Sequence, residues 1–163
     1  MLASYKSMIV VVMGVSGCGK STVGKLLAER LGRRFLDADE FHPPANVAKM
    51  AAGTPLTDAD RLPWLENLNR KLLEDRNTVL ACSALKESYR LILATASGDC
   101  RFVHLRGSIE LIRSRLTERR HRFMPASLLE SQFAALEPPQ GAIEIDIAQP
   151  PEHCVEAILA ALR

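Results

Sequence analysis

The sequence predicts an α/β protein, a three-layer α/β/α sandwich in which about five parallel strands are covered by helices on both faces. Strand-like and helix-like segments alternate along the 163-residue chain, and strands connected in this way run parallel through right-handed crossovers. The first strand-like run, "SMIVVVM", is apolar almost throughout, which is typical of a strand buried on both faces. The length is that of one domain, so we expect a single domain over residues 1–163.

The first half of the chain supplies three predicted strands and three predicted helices. The first helix has leucines at helical spacing and a stop signal at Gly32. Thr57, with acidic residues close behind it, is a start signal for another helix. Pro63 lies early in that helix, where its missing N–H costs least. The strands are predicted at 7–13, 34–38 and 78–83, and the helices at 20–32, 43–53 and 57–76.

The second half supplies two further predicted strands and four predicted helices. Gly98 closes the first of these helices, because glycine is favoured just beyond a helix end. Ser108 is a favoured N-cap for the second. The strands are predicted at 101–106 and 142–147, and the helices at 86–97, 108–120, 126–136 and 151–163.

Composition and charge exclude several classes of protein. The net charge of +2 is too small to predict a nucleic-acid-binding surface. The opening apolar run is too short for a signal peptide, and no stretch approaches the ~20 apolar residues of a membrane span. The four cysteines show no C-x-x-C spacing, which favours free thiols in a reducing compartment over zinc or disulfides. We therefore expect a cytoplasmic protein with no nucleic-acid or membrane partner.

The stretch "GVSGCGKST" lies between the first predicted strand and the first predicted helix. It matches the phosphate-loop pattern G-x-x-x-x-G-K-[ST] in its required context. Glycines let successive N–H groups point at phosphate oxygens, and the helix N-terminus adds positive charge. Lys20 is the predicted catalytic lysine at the β- and γ-phosphates, and the Ser21 hydroxyl is a predicted Mg²⁺ ligand. The predicted nucleotide-binding residues are Gly14, Val15, Ser16, Gly17, Cys18, Gly19, Lys20, Ser21 and Thr22.

An acidic pair, Asp37 and Asp39, follows the second predicted strand in "FLDADEFHP". Many phosphate-loop proteins place a magnesium-binding aspartate after a later strand, but the third strand here ends "LACSA" without a carboxylate. Neighbouring parallel strands end in one crevice, so the pair is expected to face the phosphate loop. One carboxylate can hold magnesium water while the other accepts the proton of an attacking hydroxyl. For Asp37, metal binding and capping of the next helix both remain open, whereas Asp39 is the predicted base.

Longer stretches carry a resemblance to a known family. "DADEFHPPANVAKMAAGTPLTDADRLPWL", "CSALKESYR" and "HRFMPASLLESQFAALEPP", together with the phosphate loop, closely resemble the gluconokinase family from about Ile9 onward. The resemblance implies a P-loop kinase fold like that of shikimate and nucleoside monophosphate kinases, with a short lid at about 119–127. It also implies ATP and Mg²⁺ as cofactors, a homodimer, and transfer of the γ-phosphoryl group to the 6-hydroxyl of D-gluconate in carbohydrate-acid catabolism.

A site for D-gluconate needs a cation for the carboxylate and polar groups for the hydroxyls. Arg61 can supply a bidentate clamp, a role that the resemblance supports. Lys86 and Arg90 are four residues apart on one predicted helix, so they share a face at the mouth of the crevice, either as substrate ligands or as surface charges. His42 can bind a sugar hydroxyl or fix the turn at "HPP". With Asp37 and Asp39, these are the predicted substrate-binding residues.

Arginines crowd the segment 113–122. A nucleic-acid patch would need aromatic residues interleaved with them, and the nearest one, Phe123, comes only after the last of these arginines. The resemblance instead implies a lid that closes over ATP, with Arg119 as the catalytic arginine and Arg122 as a further nucleotide contact. It also implies that Arg115 stacks on adenine opposite Pro150.

Two rival functions remain open at the level of sequence. One is a kinase for another small hydroxy acid, although the ending "CSA" of the third strand lacks the Gly-Gly-Gly expected of a shikimate kinase. The other is a regulatory nucleotide-binding module without catalysis. Such a module would need few of the lysine, serine, acidic and arginine residues described above.

Overall fold

A five-stranded parallel sheet forms the centre of the computed structural model, which describes residues 7–118 and 126–163. The strands are β1 (Ile9–Met13), β2 (Arg34–Asp37), β3 (Thr78–Ala81), β4 (Cys100–Arg106) and β5 (Ile143–Asp146). Their order across the sheet is β2-β3-β1-β4-β5. The register pairs Val11 of β1 with Leu80 on one side and with Phe102 on the other.

Helices connect the strands and cover the sheet. They are α1 (Lys20–Leu31), α2 (Pro44–Ala51), α3 (Asp58–Glu74), α4 (Glu87–Ala94), α5 (Ile109–Glu118), α6 (Ala126–Ala135) and α7 (Pro151–Leu162). A short 3-10 helix, Ala38–Phe41, follows β2 directly. Within the described ranges, no helix combines the length and the apolar character that crossing a membrane requires.

Strand β1 is buried at every position because it contributes to two separate cores. Val10 points into a core with Leu27 of α1 and Ile158 of α7. Val11 points into the opposite core with Leu68 of α3. Successive residues of a strand face opposite sides of the sheet, so helices pack on both faces. The predicted three-layer α/β/α class is confirmed.

Most predicted elements are present, with shifted ends. The second strand stops at Asp37 rather than residue 38 because the Asp37 side chain accepts a hydrogen bond from the Asp39 N–H and starts the 3-10 helix. Helix α4 stops at Ala94 rather than residue 97. The Thr95 hydroxyl donates to the Ile92 carbonyl at 2.7 Å, a local bond that competes with continuation of the helix.

Two predicted helix starts are confirmed in detail. At α3, the Asp60 N–H donates to Thr57 Oγ1 at 3.1 Å, and the Thr57 N–H donates to Asp60 Oδ2 at 2.9 Å. This reciprocal pair is a capping box. At α5, Ser108 Oγ accepts a hydrogen bond from the Leu111 N–H at 3.1 Å. The α3 start matters for function because it fixes residues 57–61 beside the acidic strand end.

Strand order places the functional segments together. β3 lies between β1 and β2, so the loop after β1 and the acidic turn after β2 flank the end of β3. Ligands of open parallel sheets bind in the crevice at the carboxyl ends of the strands. The candidate site is therefore the crevice bounded by the loop 14–22, the turn 37–43 and the start of α4.

Candidate active site

The loop 14–22 has the backbone of an anion cradle. Gly17 and Gly19 have φ angles of 84° and 94°, a left-handed region that glycine enters without strain. Gly19 is also the N-cap of α1, and no side chain caps that helix. The N-terminal N–H groups of α1 therefore remain donors for a bound anion, with the positive end of the helix dipole behind them.

Lys20 lies against this loop. Its Nζ donates a hydrogen bond to the Val15 carbonyl at 3.0 Å. The ammonium group therefore crosses the loop that it belongs to rather than extending into solvent. A phosphate bound in the cradle would lie next to a fixed positive charge, which is the arrangement that phosphoryl transfer needs.

Asp37 caps the next short helix, which is one of the two roles that its position left open, and it also contacts the phosphate loop. Its Oδ2 accepts a hydrogen bond from Ser21 Oγ at 2.6 Å, and its Oδ1 accepts one from the Asp39 N–H at 3.0 Å. The carboxylate thus caps the 3-10 helix and faces the phosphate loop at the same time. Asp39 is two residues after Asp37 in the chain, and its side chain is exposed.

Cys82 directly follows β3, and the residue before it, Ala81, pairs with Asp37 of β2. Burial raises the pKa of the Cys82 thiol to about 12. A backbone hydrogen bond from Ala84 and the charge of Lys20 lower this pKa, whereas the charges of Asp39 and Asp37 raise it. Charges act on one thiol in this way only when they lie near it. The predicted crevice therefore holds both signs of charge.

Cys18 is a packing residue of the loop. Its side chain is 1% exposed, and burial raises the pKa of its thiol despite the opposing charge of Lys20. Burial disfavours the thiolate, the reactive form. Cys18 is therefore suited to packing rather than to thiol chemistry.

His42 stacks on Trp64, with ring centroids 4.2 Å apart and planes 14° apart. The Asn46 side-chain nitrogen bonds both the Asp60 carbonyl, at 3.0 Å, and His42 Nδ1, at 3.2 Å. A carbonyl only accepts, so that atom of Asn46 is the donor nitrogen and Nδ1 of neutral His42 is an acceptor. The hydrogen of His42 is then on Nε2. Burial lowers the pKa of His42, although the charge of Asp39 opposes the shift.

Arg61 and Lys86 meet at Tyr89. Arg61 donates to the Leu56 carbonyl and to Tyr89 Oη, each at 3.1 Å, and lies over the Tyr89 ring. Lys86 Nζ donates to Asp58 Oδ1 at 3.0 Å, and the Tyr89 hydroxyl donates to the same oxygen. The hydrogen bond to Asp58 is the largest cause of a raised pKa at Lys86. The structure thus brings two predicted cations together.

Asp58 and Tyr89 were missed in the sequence. Both are in "TDADR" and "KESYR", two of the stretches that carry the family resemblance. The hydrogen bond from Tyr89 is the largest cause of a lowered pKa at Asp58, followed by that from Lys86. Asp58 therefore stays ionised and holds Lys86 and Tyr89 in place. We call Arg61, Lys86, Tyr89 and Asp58 the cationic cluster.

Arg90 does not join this cluster. Its side chain is buried, and it donates to the carbonyls of Ala84 at 2.8 Å, Leu85 at 3.2 Å and Glu137 at 3.0 Å. Neither of the interpretations of Arg90 from sequence, substrate ligand or surface charge, fits this geometry. Its guanidinium ties the start of α4 to the end of α6, so we leave Arg90 out of the proposed site.

The remaining predicted nucleotide contacts lie outside the loop 14–22. They are Arg115, Arg119, Arg122 and Pro150. Arg115 donates a hydrogen bond to the Ile147 carbonyl just after β5, and Pro150 is the N-cap of α7 a few residues later. The two residues therefore flank the same connection between β5 and α7. Arg119, Arg122 and the predicted lid up to residue 125 lie outside the described residues.

A magnesium ion fits the oxygen atoms of Ser21 and Asp37, which are hard ligands of the kind that Mg²⁺ prefers. Among the described residues there is no cluster of three or more histidine, cysteine or acidic side chains that could hold a metal by itself. An ion here would need phosphate oxygens and water to complete its shell. This matches sites where Mg²⁺ enters with the nucleotide.

The shikimate kinase family model matches residues 16–134. A probable gluconokinase of Xenopus tropicalis is 46% identical over 85% of this chain and 86% of its own. The thermosensitive gluconokinase of Escherichia coli is 44% identical over 92% of this chain and 87% of its own. The chain belongs to the gluconokinase family.

Structural comparison agrees with this membership. The crystal structure of a gluconokinase from Sinorhizobium meliloti superposes with a TM-score of 0.90 at 44% identity, covering 96% of this chain and 91% of the other. The shikimate kinase match reflects the fold that these small kinases share. Within that fold, the identity to gluconokinases is what decides the family.

Proposed function

We propose that the protein transfers the γ-phosphoryl group of ATP to the 6-hydroxyl of D-gluconate, giving 6-phospho-D-gluconate and ADP. The observation that carries the proposal is the hydrogen bond from Ser21 to Asp37, which joins the phosphate loop to the acidic strand end. The gluconokinases described above support the choice of substrate. They share 44% or more of their residues with this chain in the alignments.

The phosphate loop binds and orients the nucleotide. Backbone N–H groups at the start of α1 hold phosphate oxygens, and Lys20 offsets charge on the group in transfer. Ser21 and Asp37 would hold Mg²⁺, which neutralises charge on the β- and γ-phosphates when bound. Arg115 and Pro150 flank the proposed adenine site.

Asp39 is the proposed general base. Asp37 is engaged through both of its oxygens, whereas the Asp39 side chain is exposed. It can therefore accept the proton of the 6-hydroxyl as the phosphoryl group moves in line. In phosphoryl transfer, positioning and charge neutralisation contribute more than the base, so Asp39 also serves to orient the hydroxyl.

The cationic cluster is the proposed site for the gluconate carboxylate. Arg61 and Lys86 bring two positive charges to Tyr89, and Asp58 balances one of them. One net positive charge is left for one carboxylate. His42 lies near the end of the turn 37–43, and its Nε2–H is suited to donate to a sugar hydroxyl. Binding of the acid at one end and Asp39 at the other would select the terminal hydroxyl.

The family resemblance also supports a homodimer in the cytoplasm, acting in carbohydrate-acid catabolism. Light scattering after size-exclusion chromatography tests the dimer. A mass of twice 18.0 kDa supports it, and a mass of 18.0 kDa rejects it.

A coupled assay of ADP release over a panel of acceptors tests the substrate. The panel is D-gluconate, other aldonates, shikimate, AMP and CMP, each at equal concentration with Mg²⁺ and ATP. We expect kcat/KM to be highest for D-gluconate. Preference for shikimate or another aldonate would support the rival hydroxy-acid kinase, and ATP binding without turnover on any acceptor would support the regulatory module.

A further inference from the structure

Gln132 of α6 makes two hydrogen bonds to Ser16 of the phosphate loop, which is 116 residues earlier in the chain. The Ser16 N–H donates to Gln132 Oε1 at 2.7 Å, and Gln132 Nε2 donates to Ser16 Oγ at 3.0 Å. The orientation of the amide is fixed, because a backbone N–H can only donate and must face the oxygen. The hydroxyl of Ser16 accepts here, so its own hydrogen remains a donor.

Ser16 lies where the loop turns away from β1. The preceding carbonyl, that of Val15, accepts hydrogen bonds from Lys20 Nζ and from the Cys18 N–H at 3.0 and 3.3 Å. In the described part of the chain, both hydrogen bonds of Ser16 go to Gln132. A side chain from α6 therefore fixes the residue between Val15, whose carbonyl is bonded, and Gly17, whose φ is 84°.

The helix that carries Gln132 is anchored just beyond its C-terminal end, close to Gln132 itself. Glu137, just after α6, donates its N–H to the Leu85 carbonyl at 2.8 Å and accepts at Oε1 from the Glu87 N–H at 2.8 Å. Its carbonyl accepts from Arg90 at 3.0 Å. Leu129 of α6 is buried in the core beside α1 and α7. Gln132 is therefore presented from a fixed support.

We propose that Gln132 is a positioning residue for the phosphate loop, which acts through Ser16 and holds the loop in its nucleotide-binding conformation. The proposal rests on the proposed kinase function of the same loop. A loop already held in its bound conformation loses less conformational freedom when the nucleotide binds. Removal of the two bonds should therefore weaken nucleotide binding more than it changes the chemical step or the binding of the sugar acid.

Gln132→Met tests this inference, since methionine has a similar length and makes neither bond. We expect the KM for ATP and the Kd for ADP to rise about tenfold, whereas the KM for D-gluconate and kcat at saturating ATP change less than about threefold. Gln140→Met is the matched control, because Gln140 is an exposed glutamine outside the site. Ser16→Ala removes one of the two bonds and keeps the N–H, so it should give a smaller increase.

Two further readouts separate positioning from loss of stability. The Ser16 amide should exchange its hydrogen faster in Gln132→Met than in the wild type, with exchange in β1 unchanged. In a double-mutant cycle, Ser16→Ala should cost less affinity for ADP in the Gln132→Met background than in the wild type. If Gln132→Met fails to fold, Gln132→Asn, whose amide is one methylene shorter and cannot keep both bonds to Ser16, decides the matter by the same measurement of ADP affinity.

Unchanged nucleotide affinity in Gln132→Met, or additive effects in the cycle, would overturn the inference. An equal rise in the KM values for ATP and D-gluconate would also overturn it, because it would indicate general distortion. ADP binding is measured without an acceptor. A wild-type protein that bound ADP but did not phosphorylate D-gluconate would therefore reject the proposed function alone.

Discussion

Ser21 Oγ donates a hydrogen bond to Asp37 Oδ2 at 2.6 Å, across 16 residues of chain. The bond links the first turn of α1 to the end of β2, and it brings together two oxygen ligands that a magnesium ion can use. Asp37 also caps the next short helix. The position of one carboxylate is therefore fixed before any metal or nucleotide arrives.

Asp37→Asn should weaken the response to magnesium. Asparagine can keep the cap through its oxygen, but it removes the negative charge that attracts a divalent ion. We expect the Mg²⁺ concentration for half-maximal rate to rise about tenfold, with a smaller loss of kcat at saturating Mg²⁺. Asp99→Asn is the control, because Asp99 pairs with Arg101 on the surface. An unchanged magnesium curve would remove Asp37 from the metal site.

Lys86→Met and Arg61→Met should each raise the KM for D-gluconate by about ten- to a hundredfold, since a charge-assisted hydrogen bond contributes about 1.5–3 kcal/mol. The KM for ATP should change little, because the cationic cluster lies on the acceptor side of the crevice. Lys71→Met is a matched control, as Lys71 pairs with Glu74 on the outside of α3. If both variants keep the wild-type KM for D-gluconate, the carboxylate binds elsewhere.

Arg90→Leu should destabilise the protein without a selective effect on gluconate. The substitution leaves the carbonyls of Ala84, Leu85 and Glu137 without their buried donor. We expect a loss of about 1–3 kcal/mol in the free energy of unfolding, measured by urea denaturation. A raised KM for D-gluconate with unchanged stability would instead restore the substrate role that the sequence suggested.

Acidification should destabilise the protein through His104, which is buried, and His42, which is half-buried. Burial lowers the pKa values of His42 and His104 in the folded protein below 6.5. As the pH falls, the unfolded chain therefore binds protons at these residues at a higher pH than the folded protein does. The free energy of unfolding should therefore be steady above about pH 6.5 and fall as the pH drops below it. Protonation of His42 would also remove the acceptor for Asn46.

His42→Gln should reduce the slope of this fall, measured by urea denaturation between pH 7 and pH 5. His153→Gln serves as the control, because His153 is exposed on α7. A slope equal to that of the wild type would show that His42 does not contribute to the pH dependence.

The sequence was sufficient for the fold and for the place of the phosphate loop between β1 and α1. Alternating apolar runs and helical periods depend on local spacing, and the phosphate-loop pattern has a defined place between a strand and a helix. The 3-10 helix at Ala38–Phe41 was missed because it depends on the side chain of Asp37 as a cap. The Asp37 side chain also accepts a hydrogen bond from Ser21 of the phosphate loop. Sequence spacing alone cannot show that one side chain makes both contacts.

The pairs that complete the site could not be predicted from spacing. Tyr89 and Asp58 are 31 residues apart, and Gln132 and Ser16 are 116 residues apart. Such contacts depend on how α3, α4 and α6 pack against the sheet. Arg90 is the opposite case. It is four residues from Lys86, as the prediction of a shared helix face requires, but its side chain turns inward and donates to backbone carbonyls.

The most direct test of the account is the rate of 6-phosphogluconate formation by the wild type and by Asp39→Asn, at saturating ATP, Mg²⁺ and D-gluconate. We expect the wild type to form this product and Asp39→Asn to form it at least about a hundredfold more slowly, with an unchanged Tm. Absence of the product with the folded wild type, or a near-normal kcat in Asp39→Asn, would contradict the account.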